Sequence, residues 1–334
     1  MIDEIRAHLD ALAKPRGAMG RLEALATELA LTQRRIDART SPRRAVLFAA
    51  DHGCVGEGVS AWPSAVTQMM VATILSGRAT SNALAAAADC PLRLVDVGMM
   101  GPRVAAGGFF RDARVADGSV PLGSGHALTP VQFDAAWGVG AEEADAAINA
   151  GAVLLIAGEM GIGNTTPAAC LTALLAGIAP EAAVGRGAGA DDAVLAAKRR
   201  VVAAAVARAA AMPDRRAAIA SVAGYEIAAM AGFYATGAAR GVTVLLDGYV
   251  ATAAALIAEA LVPGSARAMI AAHRSAEPGH GAALTALGLQ PVLDWEMRLG
   301  EGSGALTALP LLDAAAALLN DVVRLDQIGA DRAD

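Results

Sequence analysis

Short apolar runs recur along this chain, and each stops at an acidic residue beside glycine. The run 45-AVLFAA-50 ends at Asp51, His52 and Gly53, and 92-LRLVDVG-98, 152-AVLLIAGEMG-161 and 242-VTVLLDG-248 follow the same form. A run this short and this apolar suits a strand buried on both faces. Alanine-rich stretches at 64–88, 134–150, 191–211 and 249–261 separate the runs and read as helices. Alternating strands and helices predict an α/β domain with a mainly parallel sheet. Ligands of such sheets bind at the carboxyl ends of the strands, so the acid–glycine pairs are the first candidate site positions. The outer pieces read as helices without strands. Residues 3–12 and 21–36 are split by the breaker 14-KPRGAMG-20, and 305–334 closes the chain. The expected division is residues 1–36 and 305–334 as a small helical domain and 37–304 as the α/β domain. No internal repeat or low-complexity linker interrupts it.

Composition narrows the class. The 334 residues are 55% hydrophobic and 18% charged, enough apolar material for a large core. Aromatics make up only 3%, so alanine, leucine and valine must fill that core. A net charge of −6 without a long basic run argues against nucleic acid as partner. The N-terminus MIDEIRAHLDALAKPRG lacks the apolar centre of a signal peptide, and no stretch reads as a membrane span. Cys54, Cys90 and Cys170 match neither a disulfide framework nor a zinc pattern and are expected to be reduced, buried thiols. The expected location is the cytoplasm.

Several constellations carry candidate chemistry. In 158-GEMGIGNTT-166 a strand runs into a glycine-rich turn and a helix start at Asn164 to Thr166. Such a turn offers N–H groups to an anion, or it is a plain helix cap; no lysine follows the last glycine as in a Walker motif. The stretch 185-GRGAGADDAVLAAKRR-200 repeats the design, with Lys198 able to point back toward an anion or out to solvent. The stretch 273-HRSAEPGH-280, with 51-DHG-53, admits a metal hydrolase using His52, His273 and His280. Its spacing matches no ligand motif, and a hydrogen-bonded scaffold for a bound ligand is the better reading. Trp62 with Met69 and Met70 makes either a flat apolar slot or ordinary core. Glu301, alone among glycines in 297-MRLGEGSGAL-306, is either a solvated turn residue or a carboxylate held where a ligand comes close.

Eight segments together resemble the nicotinate-nucleotide–dimethylbenzimidazole phosphoribosyltransferases. They are KPRGAMGRLE (14–23), AADHGCVGEGVSAWP (49–63), VDVG (95–98), GEMGIGNTT (158–166), EIAAMAG (226–232), LLDGYVATAAAL (245–256), AAHRSAEPGH (271–280) and MRLGEGSGA (297–305), in family order over nearly the whole chain. The resemblance implies a Rossmann-like domain with a small helical domain built from both chain ends, assembled as a homodimer without cofactor or metal. It implies attack of dimethylbenzimidazole on C1′ of nicotinate mononucleotide, release of nicotinate, and inversion to α-ribazole 5′-phosphate.

Residue by residue, the resemblance implies Glu301 as general base, removing the N–H proton of the attacking base. Gly161, Gly163, Asn164, Thr165 and Thr166 match the phosphate and ribose loop. Glu159 and Lys198 match an acid and a base near the nucleotide, and Ser275 and Glu277 lie in the matching HRSxE segment. Ser60, Trp62, Met69 and Leu299 are the expected contacts of the acceptor base. Two departures stand out. Met69 occupies the place of the family's glutamine, with Gln68 shifted about 100° around the helix. The segment 117-DGSV-120, containing Ser119, replaces a Gly-Thr-x-Asn signature. A nucleotide-binding relative without turnover is the alternative reading.

Overall fold

A computed structural model describes residues 1–187 and 189–329. Ala188, within the 185–200 stretch, and residues 330–334, the end of the expected small domain, lie outside the described residues.

The described residues contain one six-stranded sheet: β1 (Arg43–Ala50), β2 (Leu92–Gly98), β3 (Phe110–Asp112), β4 (Leu154–Met160), β5 (Thr243–Leu246) and β6 (Met269–Ala271). Every strand pair is parallel, and the order is β3-β2-β1-β4-β5-β6. This is the order of doubly wound nucleotide-binding sheets, with its switch point between β1 and β4. The four long apolar runs form β1, β2, β4 and β5. The other two strands are three residues each, too short to leave a pattern. The stretch 64–88 forms two helices, Ala65–Leu75 and Thr80–Ala87, because Gly77 turns the chain at a φ of +76°. Helix Tyr225–Ala239 is buried nearly all round, so its sequence shows no amphipathic period.

Alternation along each strand divides the core. Val46, Phe48, Leu155, Ala157, Val244 and Leu246 face a layer that includes helices Pro130–Asn149, Thr165–Ala176, Tyr225–Ala239 and Tyr249–Leu261. Ala45, Leu154, Ile156, Leu245 and Ile270 face helices Ile2–Ala11, Arg21–Gln33 and Ser303–Asn320. Small residues let helices approach closely: a methyl group on Gly140 would stand 1.7 Å from the Ala229 carbonyl oxygen, and one on Gly232 would stand 2.1 Å from that of Trp137. Helix Ser303–Asn320 is long and apolar enough to cross a membrane, the one such helix among the described residues. It is 61% buried and packs in the core under the sheet.

Candidate active site

Register brings the strand ends together. Phe48 pairs with Glu159, Ala49 with both Met160 and Asp96, and Leu246 with Ala157 and Ala271. Asp51, Asp96, Glu159, Asp247 and His273 therefore gather at one edge of the sheet. A cleft opens there, across the switch point. Glu159, Gly161, Gly163, Asn164, Thr165, Lys198, Ser275, Glu277, Ser60, Trp62 and Leu299 all line it. Thr166, Met69 and Glu301 are not among its lining residues.

The turn after β4 holds its backbone open. Thr67 Oγ1 accepts from the Ile162 N–H at 3.1 Å, and Asn164 N–H returns to the Gly161 carbonyl at 3.2 Å. Among the described residues the N–H groups of Gly163 and Thr165 have no protein acceptor. Lys198 Nζ donates to Thr165 Oγ1 at 2.7 Å and to the Gly185 carbonyl at 3.2 Å. Burial lowers the pKa of that ammonium, with Glu277 opposing the shift. The side chain of Asn164 donates to the Glu159 carboxylate. Burial raises the Glu159 pKa well above the usual carboxylate range, and the charges of Glu226, Asp247 and Glu301 add to the rise. Thr166 is fully buried behind this turn, its N–H on the Gly163 carbonyl.

The turn carrying Glu301 faces inward. Gly300, Glu301 and Gly302 have φ of +93°, +58° and +71°, three left-handed residues in a row. The Glu301 N–H extends β4 by donating to the Glu159 carbonyl at 3.3 Å. Asp247 takes the next donors, accepting from Gly302 N–H at 3.1 Å, Gly304 N–H at 2.7 Å and Ala305 N–H at 3.2 Å. It thereby caps helix Ser303–Asn320. The Glu301 side chain is 1% exposed and accepts from the Ser81 hydroxyl at 2.9 Å and the Ser81 N–H at 3.3 Å. No motif or spacing marked Ser81 in advance. Asp247 carried a sign, the strand-end position it shares with Asp51 and Glu159. The surrounding glycines answer to protein neighbours: a methyl group on Gly300 would lie 2.3 Å from Glu159 Oε1, and one on Gly304 would lie 1.9 Å from His273 Cδ2.

The segment from His273 to His280 is a scaffold. Ser275 N–H donates to His280 Nδ1 at 2.7 Å, which places the ring proton on Nε2, 2.8 Å from Thr252 Oγ1. Burial, aided by His273 and Arg274, lowers the pKa of His280 to about 3, so the ring is neutral. Glu277 Oε1 accepts from Gly187 N–H at 2.8 Å, and its Oε2 is buried without a partner among the described residues. His52 pairs with Glu226, and His273 Nε2 lies 3.7 Å from Asp247. His52 thus faces Glu226, away from His273 and His280, whose rings stack edge-on with centroids 6.3 Å apart. No group of three His, Cys, Asp or Glu among the described residues is arranged to hold a metal ion.

The lip of the cleft is apolar. Trp62 and Leu299 are both about half exposed, and Ser60 spends its hydroxyl on the Trp62 backbone, donating to the carbonyl at 2.9 Å and accepting from the N–H at 3.0 Å. Met69 is 65% exposed on helix Ala65–Leu75, and Gln68 donates to the Pro102 carbonyl. Ser119 exchanges backbone bonds with Asp51 and Gly53, both at 3.1 Å, and so continues the loop after β1.

A family model described as phosphoribosyltransferase matches residues 1–329. The nicotinate-nucleotide–dimethylbenzimidazole phosphoribosyltransferase of Mycobacterium marinum is 47% identical, over 98% of this chain and 92% of its own length. The enzyme of the same name from Thermus thermophilus is 45% identical, over 95% of this chain and 94% of its own. The crystal structure of CobT from Thermus thermophilus superposes with a TM-score of 0.95 at 43% identity, covering 99% of each chain.

Proposed function

The chain belongs to the phosphoribosyltransferase family, and on that premise we propose that it moves the phosphoribosyl group of nicotinate mononucleotide to dimethylbenzimidazole or a similar base. The products are nicotinate and α-ribazole 5′-phosphate, with inversion at C1′. One observation carries the reading: a single cleft joins open N–H groups and a buried lysine at one helix start to the turn that bears Glu301. The 5′-phosphate sits on the Gly161–Thr166 turn, where helix N–H groups and Lys198 favour an anion. Glu159, Ser275 and Glu277 hold the ribose. Trp62, Leu299 and Ser60 frame the flat base, with Met69 at the outer edge. The base attacks C1′ as the pyridinium leaves neutral at nitrogen, so the departing ring needs no acid. Positioning and exclusion of water from the oxocarbenium-like centre supply most of the rate. Glu301 then takes the N–H proton from the other nitrogen of the attacking base, its carboxylate rotating from Ser81 past Gly300, the cleft-lining residue beside it. Incubation with nicotinate mononucleotide and dimethylbenzimidazole, followed by mass spectrometry, should show α-ribazole phosphate and nicotinate in equal amounts. Absence of both products from folded protein contradicts the reading.

The enzyme works as a cytoplasmic homodimer without a cofactor. Support for that compartment comes from three free, buried cysteines. The described helices within residues 1–36 and 305–329 act as one small domain, supported by the core that Leu25 and Leu29 share with Leu309 and Leu312.

A further inference from the structure

Beneath the phosphate turn lie two titratable side chains that the reaction above leaves without a task. His52 follows β1, and Glu226 lies in the first turn of helix Tyr225–Ala239; they are 1% and 0% exposed. His52 Nε2–H donates to Glu226 Oε1 at 2.8 Å, while Glu226 Oε2 is buried with no partner among the described residues. Two glycines make room for the ring. A methyl group on Gly161 would lie 3.1 Å from His52 Nε2, and one on Gly224 would lie 2.4 Å from its Cε1. The imidazole is therefore part of the floor on which the 161–163 backbone rests. The groups acting on it are Asp51 beside it and Glu226 from the helix; Glu226 also acts on Glu159 at the end of β4. Burial alone would discharge the ring, but Glu226 and then Asp51 outweigh it and hold His52 above its ordinary value. His52, the member of the pair that lies against the turn, is the one these carboxylates favour in its protonated form.

We infer that His52 and Glu226 form a positioning dyad for the phosphate: the pair fixes the 161–163 backbone from below and keeps a positive charge under the N–H groups that receive the anion. This rests on the phosphate reading above. The dyad should serve ligands that carry the phosphate and ignore those that lack it. Calorimetry with nicotinate mononucleotide and nicotinate riboside, on wild type, Glu226→Gln, His52→Gln and the double variant, tests it. Each single variant should bind the nucleotide about 10-fold more weakly, the size of a charge placed at a helix start. Riboside affinity and melting temperature should stay near wild type. The double variant should lose no more than either single one, because the two side chains act as a unit. Equal losses for nucleotide and riboside, no loss for either, or additive losses would overturn the dyad while leaving the phosphate site standing. Equal affinity of wild type for both ligands would remove the phosphate site itself, and the dyad with it. If Glu226→Gln does not fold, His52→Gln carries the same comparison; failure of all three variants to fold makes the pair structural and refutes the proposal.

Discussion

Two glycine-rich turns meet at the end of β4, and they use their backbones in opposite ways. The turn at 161–165 leaves two N–H groups open on the cleft and sets an ammonium beside them. The turn at 300–305 gives donors at 301, 302, 304 and 305 to Glu159 and Asp247, and its carboxylate to Ser81. The glycines look alike in sequence and answer in both turns to close protein neighbours, the Ala50 carbonyl at one and His273 at the other. On the proposed assignment, what separates the binding turn from the catalytic one is where the donors and charges are spent, and glycine content does not report it.

That contrast can be broken from either side. The largest effect should come from Glu301→Gln, which keeps the side chain's size but takes up a proton poorly. Turnover should fall by ~10²–10⁴-fold, read by single-turnover kinetics. Next is Gly304→Ala, which drives a methyl group to 1.9 Å from His273 inside the tightly bonded turn. It should cost about 3 kcal/mol in urea denaturation, the upper end for overpacking. Lys198→Met attacks the open turn. Loss of a charged hydrogen-bonding group should weaken nucleotide binding by about 10- to 100-fold in calorimetry, with riboside binding little changed. The smallest effect comes from His280, whose neutral ring accepts the Ser275 N–H. Its pKa in the folded protein is depressed to about 3, so its contribution is fully present above pH ~6.5 and is lost as pH falls toward 3. About 2 kcal/mol should be gone by pH 5, and His280→Asn should remove that part of the stability–pH slope.

Much of this was legible in the chain. Apolar runs ending in acid and glycine located the four longer strands and the edge where the site lies, because strands buried on both faces leave an unbroken signature. Met160 to Thr166 read as a strand–turn–helix for the same reason, and the structure has that form. Three-residue β3 and β6 carried too little sequence to be seen, and helix Tyr225–Ala239 hid because a helix buried on all sides has no polar face. Partnerships across the fold were illegible. Glu301 meets Ser81, 220 positions away, and His52 meets Glu226 across 174. Met69 read as a base contact from its place in a motif, yet it sits exposed beyond the residues that line the cleft. Helical spacing alone did not say which face of Ala65–Leu75 turns inward.

The division of labour between the two turns is the central claim, and one crossed measurement tests it. Nucleotide affinity, single-turnover rate at saturating substrates and melting temperature should be measured for Glu301→Gln and Lys198→Met in the same buffer. Glu301→Gln is expected to lose rate and keep affinity, Lys198→Met to lose affinity and keep most of its rate, and both to melt near wild type. If Glu301→Gln turns over normally, or if each variant loses rate and affinity in equal measure, the two turns do not divide the work and the assignment is wrong.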